Sequence, residues 1–206
     1  SVWIYPWTVS TTTSGIVSAT ISGSDISGKS YSGTDSITFT IDNTGPTVTL
    51  TDTDSDNLVS GSTVVTITAT FSESMAATPS INITGEVSNA LMTASSTASV
   101  WIYPWTVSTT TSGIVSATVS GADLAGNNYV AGTQSITFTI DNSAPTVTLT
   151  DTDSDNLVSG SNVVTITATF SESMGATPTI NITGEVSNTL MTASSTTNTW
   201  FYGWVV

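Results

Sequence analysis

The stretch Val65-Thr66-Ile67-Thr68-Ala69-Thr70-Phe71 decides the fold. Apolar side chains alternate with threonines along it, so one face is apolar and the other hydroxylated. Period-two alternation rich in β-branched residues is the mark of a half-buried strand. Thr47-Val48-Thr49-Leu50-Thr51 and Ser135-Ile136-Thr137-Phe138-Thr139-Ile140 repeat the pattern. Followed outward, it predicts seven strands, over 47–51, 63–71, 80–84, 86–92, 99–107, 114–121 and 134–141. No segment carries a convincing helical period. Seven short strands separated by turn residues predict an all-β, immunoglobulin-like sandwich.

The chain repeats itself. Trp3-Ile4-Tyr5-Pro6-Trp7 returns 98 residues later as Trp101-Ile102-Tyr103-Pro104-Trp105, and a looser copy follows at Trp200-Phe201-Tyr202-Gly203-Trp204. Phe71-Ser72-Glu73-Ser74-Met75 returns 99 residues later at Phe170 to Met174. A period near a hundred residues is a whole sandwich domain, far longer than a solenoid repeat. Pro46 and Pro145 mark the boundaries, because proline ends one ladder and starts the next segment extended. The expected organisation is a tandem of modules of about 99 residues. Residues 46–142 are a complete module, 1–43 the C-terminal half of one, and 145–206 the N-terminal half of another. The chain is therefore expected to be cut mid-module at both ends.

Composition narrows the function. One Lys against fifteen acids gives a formal charge of −14, with no His and no Cys. Nothing in such a chain neutralises phosphates, so nucleic acid is not an expected partner. No apolar run reaches the roughly 20 residues of a membrane-spanning helix, so no membrane insertion is expected. Without His or Cys the usual nucleophile–base pairs and zinc sites are closed off, and no enzymatic activity is expected. Without disulfides, extra stabilisation falls to packing or to a hard cation.

Phe71-Ser-Glu-Ser-Met75, Asp123-Leu-Ala-Gly-Asn127 and Ile140-Asp-Asn-Ser-Ala-Pro145 resemble the tandem bacterial Ig-like modules of large surface adhesins. The resemblance spans the whole chain. It implies a secreted or cell-surface, extracellular, multi-module stalk or filament, often calcium-dependent, and not an enzyme. The earlier loop, Asp25-Ile26-Ser27-Gly28-Lys29, departs from the motif by placing Lys where Asn stands.

Loop geometry in such a sandwich gathers acids at the module ends. Glu73 follows the second strand and Asp123 opens the loop between the sixth and seventh. Both are expected at the pole where Asp42 and Asn43 bring the chain in. Carboxylate and amide oxygens from two modules then meet, which suits the six to eight oxygen ligands of calcium. Asp25 and Glu172 are the equivalent candidates in the flanking copies. A second cluster, Asp52-Thr-Asp-Ser-Asp56, lies at the far pole near Asp141 and Asn142, and is repeated at Asp151, Asp153 and Asp155. Its alternating acids resemble the first half of an EF-hand, but Asn57 replaces the glycine and no glutamate closes the loop at Thr63. The competing reading is an acidic turn held by local hydrogen bonds.

Expected partners are copies of the module itself, joined end to end. A homopolymer whose half-modules complement those of a neighbour by donated strands is one form of this. The alternative function is a glycan- or ice-binding module. It would use an exposed aromatic row on the fifth strand or the threonine faces, with a glycan or other surface ligand as partner.

Overall fold

The computed structural model describes residues 2–31, 33, 35–130 and 133–206. The chain is all-β and forms two compact units, Ser1–Asn142 and Ser143–Val206. Among the described residues no helix is long and apolar enough to cross a membrane.

In the first unit, β1 (Gly15–Thr20) and β2 (Ser36–Ile41) make an antiparallel pair of their own. The rest builds two sheets from β3 (Val48–Asp52), β4 (Leu58–Val59), β5 (Val64–Phe71), β6 (Ser80–Ile83), β7 (Val87–Leu91), β8 (Thr93–Ala94), β9 (Val100–Thr106), β10 (Gly113–Ser120) and β11 (Ile136–Ile140). One sheet runs β3-β5-β9-β8 and the other β4-β11-β10-β6-β7. Their facing side chains form a single core. It includes Val65, Ile67 and Phe71 from β5, Ile81 and Ile83 from β6, Val115 and Val119 from β10, and Phe138 and Ile140 from β11. Two sheets over one shared core are a β-sandwich.

The alternation in β5 does what the sequence predicts. Val65, Ile67, Ala69 and Phe71 are buried, and the intervening threonines are not. Trp101, Tyr103, Trp105 and Val107 also face the core, with Trp105 lying 5.3 Å from Phe138 between ring centroids. The aromatic row of this module is therefore packing, not an exposed platform. β8 covers β9 only opposite Trp101 and Ile102. Pro104 thus lies on an open edge, where its missing N–H costs no ladder bond.

Two features differ from the expected strands. The strand expected over 86–92 is divided. β7 pairs with β6, and Met92 then turns into the core, its N–H donating to the Pro79 carbonyl at 3.0 Å. The chain crosses to the other sheet there and continues as β8. The second difference is β4, which pairs in parallel with β11. Asn57, at φ 59°, turns the chain into it.

The second unit contains β12 (Val147–Asp151), β13 (Val163–Phe170), β14 (Thr179–Ile182), β15 (Val186–Leu190), β16 (Thr192–Ala193) and β17 (Thr199–Val205). They form a four-stranded sheet, β12-β13-β17-β16, and a pair, β14-β15. A smaller core of Ala168, Ile180 and Met191 lies among Ile166, Phe170, Ile182, Val186, Trp200 and Tyr202.

Candidate metal centre

Three carboxylates converge where the β1–β2 pair hands over to the sandwich. Asp42 directly follows β2, Glu73 sits just beyond β5, and Asp123 opens the loop between β10 and β11. One oxygen from each lies within 4.8 Å of the others. Among the described residues no other set of three acids meets this way.

Backbone pairing fixes the geometry. Met75 and Asp123 form an isolated antiparallel bridge, and Ala76 N donates to Ala122 O at 2.9 Å. Asp123 N donates to Asn127 O at 3.0 Å, closing a tight loop in which Gly126 has φ 93°. The Asp123 carboxylate accepts from Asn127 N at 2.8 Å and Asn127 Nδ2 at 2.9 Å. Asn127 Nδ2 also donates to the Asp42 carbonyl at 3.1 Å. One amide therefore ties the loop acid to the incoming linker. On the linker, Asp42 Oδ1 accepts from Thr44 N at 3.0 Å. Gly45 runs so close to Asn128 that a Cβ there would collide with the Asn128 carbonyl oxygen.

Electrostatics separate the three acids. Asp123 is fully buried. Desolvation pushes its carboxyl up, but the hydrogen bonds from Asn127, Gly126 and Ala125 together outweigh it and hold the group below the usual range. Among the described residues Glu73 has no such donors. Burial first, and then the charges of Asp123 and Asp42, raise its carboxyl above the usual range. The only basic side chain in the sequence is Lys29. It lies four residues from Asp25 in the equivalent loop between β1 and β2.

Several other candidates accept local hydrogen bonds, whereas Asp54 Oδ2 and Asp153 Oδ2 are buried without a hydrogen-bond partner among the described residues. Asp25 accepts from Ser27 Oγ at 2.7 Å and Lys29 N at 2.9 Å, and these bonds lower its carboxyl. Asn43 donates through Nδ2 to the Ser10 and Thr13 carbonyls. Asn142 does the same to Ser108 and Thr111, while its Oδ1 accepts from Gly61 N at 2.6 Å. Both asparagines thus stitch the end of a strand to a neighbouring loop. Asp52 Oδ1 accepts from Asp54 N at 2.8 Å, and Asp56 Oδ1 from Leu58 N at 3.1 Å. Asp151 and Asp155 repeat this with Asp153 N and Leu157 N. In these turns Asp52, Asp56, Asp151 and Asp155 satisfy backbone N–H groups. Glu172, half-buried, repeats Glu73 in the second unit.

Sequence reasoning did not assign Asn127 to the site. The signal was the spacing of Asp123 and Asn127 around Gly126, which lets one side chain reach back to the other. Glu86 was missed too. Its Oε2 accepts from Ser108 N at 3.0 Å and lies 3.4 Å from Trp105 Nε1. No protein-family model and no curated protein matches the chain.

Proposed function

We propose that this chain is a structural segment of an extracellular bacterial adhesin stalk or filament, built from tandem Ig-like modules of about 99 residues and stiffened by calcium at the joint between modules. The convergence of Asp42, Glu73 and Asp123 carries the reading. Two oxygens bound to one calcium ion sit at most about 5 Å apart, twice its bond length. The spacing of the three carboxylates falls inside that limit. Oxygen-only donors suit a hard cation, and the Glu73 carboxyl is raised first by burial and then by the charges of Asp123 and Asp42, both of which a bound cation would offset. A cation bound there would join the linker residue Asp42 to two loops of the following module. Bending at the joint would then break ligands.

In this role the site performs no chemistry. Asp42, Glu73 and Asp123 hold the ion, Asn127 orients Asp123 and fastens the linker, and Gly45 allows close approach. The partners are neighbouring modules, and the location is the cell exterior.

Melting the chain with calcium and with chelator tests the proposal. Calcium is expected to raise the melting temperature of the wild type and to leave Glu73→Gln unmoved. Equal melting of the wild type in both buffers would remove the ion-clamped stalk.

A further inference from the structure

We infer that Asn43 is a positioning residue that sets the calcium affinity of the joint without touching the ion, by locking the linker to the loop before β1 so that Asp42 is in place before a cation arrives. The inference rests on the calcium reading of Asp42, Glu73 and Asp123. Glu73 and Asp123 belong to the body of the sandwich, where the Met75–Asp123 bridge ties their loops together. Asp42 stands on the linker, just past the end of β2. Its place depends on what fixes its neighbours in the chain.

The linker is held from two sides. From the sandwich, Asn127 Nδ2 donates to the Asp42 carbonyl at 3.1 Å. From the other side, Asn43 Nδ2 donates to the Ser10 carbonyl at 3.0 Å and to the Thr13 carbonyl at 2.6 Å. Asn43 N donates to Ser14 Oγ at 3.2 Å. Ile41, the residue before Asp42, is still paired in the ladder with Gly15. Asp42 therefore has an anchored residue on each side, and its backbone has little freedom left.

The chemistry of the lock calls for an amide. Two carbonyl oxygens converge on one nitrogen, and a primary amide offers two N–H donors where a carboxylate offers none. The same lock recurs 99 residues later in the complete module. There Asn142 Nδ2 donates to the Ser108 and Thr111 carbonyls, and Asn142 Oδ1 accepts from Gly61 N at 2.6 Å. A Cβ on Gly61 would collide with Thr109 and with Asn142 Oδ1. The asparagine at the end of the last strand is thus a built feature of the repeat, and in the first copy it adjoins the metal triad.

Preorganisation of this kind is read in affinity. With the lock open, the ion must order the Asp42 backbone as it binds, which for one residue corresponds to roughly 5- to 30-fold in affinity. Electrostatics alone has the opposite sign, because an added carboxylate beside a cation site tightens binding. Asn43→Asp separates the two effects. It keeps the shape of the side chain, adds a negative charge and removes both donors.

Calcium titration of the full chain by calorimetry tests this on the wild type, Asn43→Asp, Ser14→Ala and Asn142→Asp. Asn43→Asp should bind roughly 5- to 30-fold more weakly than the wild type despite its extra charge. Ser14→Ala loses one bond of the lock and should bind about two- to tenfold more weakly. Asn142→Asp makes the same change away from the triad. It should lower the main melting transition and keep wild-type affinity. Wild-type or tighter binding by Asn43→Asp would overturn the inference and leave the calcium reading standing. An equal loss of affinity in Asn142→Asp would overturn it too, since general loosening of the fold would then suffice. Should Asn43→Asp unfold the β1–β2 pair, wild-type affinity in Ser14→Ala overturns it instead. No binding by the wild type would remove the calcium reading, and this inference with it.

Discussion

Phe138 and Phe39 occupy the same position of the repeat, in Ser-Ile-Thr-Phe-Thr-Ile stretches 99 residues apart. Truncating each to alanine should nevertheless give unequal results. Phe138 is fully buried against Trp105 and between the two sheets. A buried Phe→Ala change costs about 3–5 kcal/mol, through lost transfer energy and the cavity left behind. At about 4–8 °C per kcal/mol for a domain near a hundred residues, the main transition should fall by roughly 12–40 °C. Phe39 keeps 42% of its surface exposed and packs on the Trp7 ring. Full burial of a Phe is worth about 1.5–3 kcal/mol, so its partial burial contributes roughly 1–2. That contribution belongs to the hairpin, not to the shared core of the sandwich. Scanning calorimetry compares them directly. The reasoning fails if Phe39→Ala lowers the main transition as far as Phe138→Ala, or if Phe138→Ala moves it by less than about 5 °C.

Further outcomes follow from the joint and from the core. The carboxyl of Glu73 is raised, so its protonated form favours folding. That contribution is present below the ordinary carboxylate range and is lost as pH rises through the raised value. In chelator, Glu73→Gln should therefore melt above the wild type at neutral pH and level with it in acid, as a pH series of melts would read. Asp123 has the opposite sign: its lowered carboxyl stabilises above the ordinary range, and the benefit fades as pH falls through the lowered value. Asp123→Asn should melt below the wild type at neutral pH, with the gap closing in strong acid. Gly45→Ala forces a Cβ onto the Asn128 carbonyl. It should weaken the calcium-dependent shift while changing the melting of the module in chelator little. Glu86→Ala strips the partner from Ser108 N and Trp105 Nε1. Unfolding in urea should show a loss of about 1–3 kcal/mol.

Most of the sandwich was legible because its strands are written in side-chain alternation. β5, β10 and β11 are half-buried, so every second residue reports the core. The parallel strand β4 was not legible. Two residues, Leu58 and Val59, carry no period, and their pairing exists only because β11 lies alongside. The break at Met92 was hidden for a related reason: a buried methionine continues an apolar pattern equally well in either sheet. At the joint, the meeting of the carboxylates was legible because strand order in a sandwich fixes which loops share a pole, and that puts Glu73 and Asp123 beside the linker carrying Asp42. The reach of Asn127 across two segments depends on the loop at Gly126, which composition does not disclose. The aspartates of the 52–56 cluster look like ligands in sequence, and the structure adds what sequence does not show: Asp52 and Asp56 accept from Asp54 N and Leu58 N, while Asp54 Oδ2 is buried without a partner among the described residues.

Calorimetric titration of the full chain with calcium, beside Asp42→Asn and Glu73→Gln, goes to the centre of the account. Saturable binding by the wild type, weakened in both variants although their residues lie 31 positions apart in the chain, is the expected result. Absence of calcium binding by the wild type, or identical isotherms for all three proteins, would contradict it.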